Sequence, residues 1–382
     1  MSKGTSPETL DILRLTNSLY PDKMGGIPLH THQMSKYQAN LGHNVTVATS
    51  DNGDRELPAK EERAGYTIRR YRELVRPLDN SIPPKIVPDL WNEIENYDIV
   101  HAHSHLYFST NISSFISTIK DTPLVITNHG LFSQTAPDWI QSVFLPLVAR
   151  PTLNSSDLIF SYTEKSREML RERDIQTPVE IIHNGIDCDY FNPDVKEQNE
   201  NQILFVGRFK KGKGVDYLCD ALPAIVAEYP DATVKLAGGG SLRDEFRQQC
   251  RKAGIADNVE FLGKVPNDEM PALYNESSLL VSPTLTEAAI PRVVMEAWAC
   301  KTPVVMTDIP EADSDVVRKA GLEVPMESSD AIAENVIRLL DDDSLRKKLG
   351  EQGRDLVTEK YSWQETVERT TESYHDVLET CN

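Results

Sequence analysis

Residues 202–214 read QILFVGRFKKGKG, and this stretch decides the fold. Residues 202–206 are a short apolar run of strand length. A glycine-rich loop carrying Arg208, Lys210, Lys211 and Lys213 follows it, and residues 215–228 then read as a helix. Strand, loop and helix in that order open a parallel α/β sheet with right-handed crossovers. Downstream the alternation continues, with strands expected at 233–237, 259–262, 279–282, 304–306 and 322–324. Helices are expected between them, at 242–253, 294–299 and 331–340, and the chain closes on a helix from Trp363 to about Leu378.

Upstream the same alternation has already run once. Strands are expected at 12–15, 45–48, 98–102, 124–127, 158–162 and 179–182, each short and apolar as strands buried on both faces should be. Residues 24–28, MGGIP, read as a loop feeding a helix that runs to about Leu41, with Pro28 in its first turn and Gly42 at its C-terminal end. Two such series imply two doubly wound, Rossmann-like parallel-sheet domains facing across a cleft. Asn192-Pro193 and the polar run KEQNENQ interrupt the pattern, so the expected division is 1–186, a linker at 187–200, and 201–382. The last helix can pack back on the first domain.

The chain has 382 residues, 39% of them hydrophobic, which is enough for two cores. Forty Lys+Arg against 59 Asp+Glu give a net charge of −19, and a surface this acidic repels phosphate backbones, so no nucleic-acid partner is expected. Five cysteines, Cys188, Cys219, Cys250, Cys300 and Cys381, lie far apart with no C-x-x-C pair. That argues against a disulfide framework or a zinc ribbon and for a reducing, cytoplasmic setting. The first residues, MSKGTSPETLDILRL, show no apolar signal segment, and no run of about 20 apolar residues spans a membrane. Residues 1–185 hold 18 basic and 22 acidic side chains, residues 186–382 hold 22 and 37. The acidity is compatible with a salt-rich cytoplasm. A local basic cluster, Arg69, Arg70, Arg72 and Arg76, reads either as an ion-paired surface or as a patch for an anionic acceptor or membrane face.

Several motifs carry chemistry. Gly25-Gly26 lets a backbone approach a ligand closely at a helix N-terminus, where free N–H groups suit a phosphate or sugar oxygen; the alternative is an ordinary tight turn. Residues 207–214 nearly match the phosphate-loop pattern G-x-x-x-x-G-K-[ST], but Gly214 has no hydroxyl for Mg²⁺, which disfavours ATP hydrolysis. What remains is Arg208 and Lys213, a planar fork and a point charge suited to holding a diphosphate without a metal. Residues 237–241, AGGGS, lack the third glycine of a dinucleotide fingerprint and read as a glycine-rich turn around Gly239. Glu287 and Glu296 can accept bonds from sugar or ribose hydroxyls, although a glutamate near a helix start also meets the helix dipole. His101, His103 and His105 alternate and would share one face of a strand; they invite a metal reading, but no carboxylate or cysteine stands at a useful local spacing. His129 lies just past another strand end, the edge that faces the ligand crevice in doubly wound folds.

In order and spacing, these segments resemble glycosyltransferase family 4, a group of GT-B-fold, nucleotide-sugar-dependent retaining enzymes. Gly25-Gly26-x-Pro28, residues 42–47 (GHNVTV), 98–103 (DIVHAH), 127–130 (TNHG), 183–187 (HNGID) with Phe191-x-Pro193, Gly207-Arg208 with Lys213-Gly214, and 321–325 (GLEVP) with 339–342 (LLDD) carry the resemblance. It implies a hexosyltransferase that needs no cofactor or metal beyond its donor. Arg208 and Lys213 would bind the donor diphosphate and stabilise charge on it, His129 would position the transferred sugar, Glu287 would contact sugar hydroxyls and Glu296 the ribose. Gly25, Gly26, His103 and Gly239 would line the donor or acceptor. Two departures stand out: eight residues separate Glu287 and Glu296 where the family usually has seven, and Lys301 stands where it often has glycine.

The acceptor expected from the resemblance is a glycan or a lipid-linked sugar, in surface glycan or polysaccharide biosynthesis. Trp139, Ile140, Val143, Phe144 and Leu147 form an apolar stripe at helical spacing. It reads as a core-facing stripe or as a face for peripheral contact with the cytoplasmic side of the membrane. A nucleotide-sugar epimerase and a non-catalytic nucleotide-sugar-binding scaffold remain as alternatives.

Overall fold

Two parallel sheets organise the computed structural model, which describes residues 9–133, 135–193, 199–287, 289–309 and 314–381. In the first, the strands are β1 (Asp11–Leu15), β2 (Asn44–Ser50), β3 (Lys60–Arg63), β4 (Tyr66–Tyr71), β5 (Ile99–His103), β6 (Leu124–Thr127), β7 (Leu158–Ser161) and β8 (Val179–Ile181). Their order is β3-β4-β2-β1-β5-β6-β7-β8, and only β3 runs antiparallel to its neighbour. In the second they are β9 (Gln202–Val206), β10 (Thr233–Ala237), β11 (Val259–Gly263), β12 (Leu279–Ser282), β13 (Val304–Thr307) and β14 (Gly321–Val324). This sheet is parallel throughout, in the order β11-β10-β9-β12-β13-β14.

The buried strands are the apolar runs read from the sequence, because a parallel strand covered on both faces needs an apolar side chain at almost every position. β3 and β4 escape that rule. Their residues, KEER and YTIRRY, form a hairpin at the sheet edge, turning through Ala64 and Gly65 at positive φ. Three arginines of this region are ion-paired: Arg69 with Glu93, Arg70 with Asp22 at 2.8 Å and Glu61 at 2.7 Å, Arg76 with Glu73 at 2.7 Å. The fourth of the basic cluster, Arg72, is exposed and has no ion pair among the described residues, so the cluster is mostly a paired surface.

The chain divides into two units, residues up to Gly185 together with those from Trp363 onward, and Ile186–Ser362. This corrects the expected linker at 187–200 and the domain 201–382. Ile186 and Phe191, each 1% exposed, are core residues of the second unit, and Arg354 Nη1 donates to the carbonyls of Cys188 and Phe191 at 3.0 and 2.9 Å. Asn192 and Pro193 follow directly on this packed stretch; residues 194–198 lie outside the described residues. The closing helix, Trp363–Cys381, belongs to the first unit, where Tyr374 and Val377 join its core and Arg14, fully buried on β1, donates to the Tyr374 hydroxyl at 3.1 Å.

Lys301 shows how a glycine position is filled by another residue. After the helix Arg292–Ala299, the amides of Lys301 and Thr302 donate to Trp298 O at 2.9 Å and Ala297 O at 2.8 Å, a Schellman closure. The residue at its left-handed position is Lys301, at φ 60, where a side chain costs roughly 1–2 kcal/mol.

Candidate functional site

Each sheet reverses its strand order once around a central strand, and ligands of open α/β sheets bind beyond the strand C-termini at that point. In the second unit β9 lies between β10 and β12. The loops after these three strands are knitted together. Gly214, at φ 65, would place a Cβ 1.7 Å from the Pro283 carbonyl oxygen, and Gly238 would place one 1.8 Å from that of Gly207. Only glycine permits these approaches. The Leu285 amide donates to Gly212 O at 2.9 Å, and the Phe209 amide to Gly239 O at 2.9 Å, while the Phe209 ring is fully buried among Phe205, Phe246 and Phe261.

On this frame the Lys213 ammonium pairs with the Glu287 carboxylate, joining the loop after β9 to the loop after β12. Arg208 is exposed and carries no ion pair among the described residues. Lys210, partly buried beside the cations Arg208 and Lys213, has its pKa lowered, by burial first and by those two charges next. Gly239 is exposed, and a Cβ there would meet nothing within 4 Å, so packing does not require its glycine. Glu296 is 6% exposed in the second turn of the helix Arg292–Ala299. Its carboxylate accepts from the Tyr274 hydroxyl at 2.7 Å and pairs with Arg292 at 2.7 Å, so it is engaged within the protein.

In the first unit β1 lies between β2 and β5. Gly25 caps the helix Gly26–Asn40 in extended backbone, and a Cβ at Gly26 would meet nothing within 4 Å. Neither glycine is demanded by conformation or packing. His103 ends β5, and His129 follows β6. His103 Nδ1 and His129 Nε2 are 3.0 Å apart, and His129 Nδ1 is 2.8 Å from the Tyr162 hydroxyl. The third member of the group is His30, in the first turns of the helix after Gly26, with Nδ1 2.8 Å from Asn184 Oδ1. Sequence reasoning passed over His30, Tyr162, Asn184 and Trp363. The available signal was His30's place just after the glycine pair, on the helix that leaves the central strand.

The expected trio of His101, His103 and His105 does not form. His101 and His103 stack on one face of β5, with ring centroids 4.5 Å apart, but His101 is held by Tyr374 and by Thr127 at 2.7 Å. His105 lies past the strand. The group that could hold a metal ion is His30, His103 and His129, each offering a ring nitrogen within 4.8 Å of the others. Burial lowers the pKa of His30 to about 4, with the Arg14 charge also lowering it, and holds His103 and His129 well below the ordinary value, so all three are neutral at pH 7.

The apolar stripe is not core. The helix Asp138–Phe144 buries no residue, and Trp139, Val143 and Leu147 are 71%, 54% and 70% exposed. Ile140, Phe144 and Leu145 line a cavity of about 90 Å³ together with Leu78, Leu106 and Leu131. No helix among the described residues is long and apolar enough to cross a membrane.

Two family descriptions match consecutive parts of the chain: Glycosyltransferase Family 4 at residues 24–190 and Glycosyl transferases group 1 at residues 189–356. The phosphatidylinositol N-acetylglucosaminyltransferase gpi3 subunit of Schizosaccharomyces pombe is 27% identical over 92% of this chain and 78% of its own. A phosphatidyl-myo-inositol mannosyltransferase of Mycobacterium leprae is 26% identical over 93% and 94%. Among solved structures, Anabaena HepE in complex with UDP superposes with a TM-score of 0.77 at 18% identity, covering 96% of this chain and all of that one, which shows the GT-B fold.

Proposed function

The chain belongs to glycosyltransferase family 4, and from that premise we propose that it moves a hexose from a nucleoside diphosphate sugar to a lipid-linked acceptor. Transfer retains the anomeric configuration, needs no metal ion, and takes place at the cytoplasmic face of a membrane. The observation that carries the donor side is the Arg208–Lys213 pair of cations on the loop at the strand-order reversal of the second sheet. Breaking the glycosidic bond leaves a growing negative charge on the diphosphate. Cations at that place stabilise the charge as it forms. HepE, with its bound UDP, makes UDP the first nucleotide to test.

The other residues take roles around that step. Glu287 contacts sugar hydroxyls, Glu296 the ribose, and Gly239 leaves room for the nucleotide. Gly25 and Gly26 present helix N–H groups, and His103 and His129 position the transferred sugar as neutral imidazoles able to accept or donate. On the acceptor side, the exposed Trp139, Val143 and Leu147 beside an apolar cavity favour a lipid over a free glycan. Both cited relatives carry phosphatidylinositol in their names, which supports the same class.

The test is release of nucleoside diphosphate from UDP- and GDP-sugars in EDTA, with and without vesicles holding phosphatidylinositol. Release that requires the lipid, with an α-linked product from an α-linked donor, is the expected result. Conversion of the donor without any acceptor would favour the epimerase reading instead.

A further inference from the structure

His30, His103 and His129 make a triangle of rings. The centroid distances are 5.4 Å for His30–His103, 5.2 Å for His30–His129 and 5.3 Å for His103–His129. Each imidazole comes from a different element: the first turns of the helix Gly26–Asn40, the end of β5, and the loop after β6. His30 and His103 are almost fully buried, and the Nε2 atoms of both have no hydrogen-bond partner among the described residues. A buried polar atom left unpaired costs free energy, so the Nε2 of His30 in particular is poised for a partner that would satisfy it.

We propose that these three histidines form a site for a late first-row divalent cation, Zn²⁺ or Co²⁺ by chemistry, separate from any metal requirement of sugar transfer. Three neutral imidazoles are the donor set such ions prefer, and with three protein ligands the fourth position stays open. The supporting contacts are of the kind metal-bound histidines use. His30 Nδ1 faces the Asn184 side-chain oxygen at 2.8 Å, which leaves its Nε2 as a lone pair. His129 Nδ1 faces the Tyr162 hydroxyl at 2.8 Å, an arrangement that frees Nε2 when Nδ1 carries the proton.

The distances permit closure. Metal–nitrogen bonds of about 2.0–2.1 Å put tetrahedral ligand atoms roughly 3.4 Å apart. His103 Nδ1 and His129 Nε2 are already 3.0 Å apart, and all three ligand atoms lie within 4.8 Å. A side-chain adjustment on the order of 1 Å, mostly of His30, completes the set. The single proton shared between His103 Nδ1 and His129 Nε2 moves to the far nitrogen of the ring that carries it, His103 Nε2 or His129 Nδ1, so both rings stay neutral and no proton need leave. A bound ion takes ring nitrogens of His103 and His129, the two imidazoles that the proposed function gives to the sugar. Metal and donor sugar therefore compete, and the ion acts as a reversible inhibitor.

The experiment uses the full chain without a polyhistidine tag, stripped with chelator, and titrated with Co²⁺ and then Zn²⁺. The expected result is one Co²⁺ per chain with the intense visible bands of a tetrahedral centre, displaced by Zn²⁺. His30→Ala should abolish the bands, and Asn184→Leu, which keeps all three ligands, should weaken affinity 10- to 100-fold. Thermal melts of the metal-free variants check that they fold. Weak octahedral Co²⁺ spectra, or binding unchanged in both variants, would overturn the proposal by placing the ion on one of the six other histidines or on acidic groups. The readout needs no sugar, so it fails or succeeds independently of the glycosyltransferase reading. UDP binding to the metal-free protein tests that reading on its own.

Discussion

The Lys213 ammonium and the Glu287 carboxylate form an ion pair that ties the loop after β9 to the loop after β12. One of the two cations proposed for the diphosphate thus already has an anion within the protein. A diphosphate must compete with that carboxylate. The pair is about a quarter exposed, so it is worth roughly 0.2–1 kcal/mol. Glu287→Gln removes the competitor, and UDP should bind up to about fivefold more tightly while transfer slows. Lys213→Ala removes a charged donor worth about 1.5–3 kcal/mol, and UDP affinity should fall roughly 10- to 100-fold. Calorimetric titration with UDP in EDTA reads both. Weaker binding by Glu287→Gln would mean that the carboxylate orients Lys213 rather than masks it.

Glycines separate the frame from the binding surface. Gly214→Ala forces a left-handed side chain into the Pro283 carbonyl and should destabilise the second unit by roughly 2–4 kcal/mol. Gly239→Ala adds a methyl to open space, and its stability should stay within about 0.5 kcal/mol of wild type. If the space is the nucleotide's, UDP affinity should nonetheless drop. Urea melts paired with UDP titrations give both quantities, and a Gly239→Ala protein that binds UDP normally would move the nucleotide elsewhere.

Glu296 combines a structural and a proposed binding role, and two substitutions part them. Tyr274→Phe removes only the hydroxyl that donates to the carboxylate and should cost about 1 kcal/mol. Glu296→Gln leaves Arg292 without its charge partner and should cost about 1–3 kcal/mol. A ribose contact predicts that Glu296→Gln also weakens UDP binding while Tyr274→Phe does not. Equal UDP affinity in both variants would leave Glu296 a structural residue.

How far the sequence reached follows from which forces shape each element. Strands such as Gln202–Val206 and Leu279–Ser282 were legible because burial on both faces demands apolar residues throughout. The edge hairpin β3–β4 was not, because an exposed edge tolerates KEER, and its arginines are stabilised by carboxylates distant in sequence. Arg208, Lys213 and Glu287 could be picked out from loops following strands, yet the Lys213–Glu287 pairing spans 74 residues and is visible only in three dimensions. His30 follows the glycine pair on the helix after the central strand, but among that helix's many polar residues this position alone does not give it a role. Its meaning comes from His103, His129 and Asn184, brought beside it by the strand order.

Acid sensitivity should come in part from His43. Its Nδ1 accepts the Leu10 amide at 3.2 Å, so the ring must keep a lone pair there, and it is 4% exposed. Burial, with His375 beside it, lowers its pKa below the ordinary value. The native state therefore binds fewer protons than the unfolded chain, whose histidines titrate near 6.5. Stability from this residue is complete above about pH 6.5 and is lost as the pH falls from there toward the depressed native value, at no more than about 1.4 kcal/mol per pH unit. His43→Asn, which keeps an acceptor but cannot charge, should show a shallower fall between pH 7 and pH 5 in urea melts. An identical slope in the two proteins would assign the acid sensitivity to other groups.

The exposed stripe makes the sharpest demand on the acceptor. Trp139 and Val143 stand out of the helix Asp138–Phe144, which buries nothing, and Leu147 out of the helical turn that follows it, while Leu78 and Phe132, also exposed, line the cavity that Ile140 and Phe144 share. Exposed apolar surface of this kind usually marks a contact with lipid or protein. Replacing Trp139 and Leu147 together by glutamate should change stability by no more than about 0.5 kcal/mol, because neither side chain is packed. Flotation with neutral phosphatidylcholine vesicles should lose the double variant and retain the wild type. Vesicles enriched in anionic lipid should improve wild-type binding little, because the chain as a whole carries a net charge of −19 and Arg69, Arg70 and Arg76 are ion-paired. Transfer to a detergent-solubilised lipid acceptor should survive in the variant, since the substitutions remove membrane docking and not the donor cations. Wild-type protein that fails to float would remove the membrane from the acceptor proposal and turn attention to a soluble glycan.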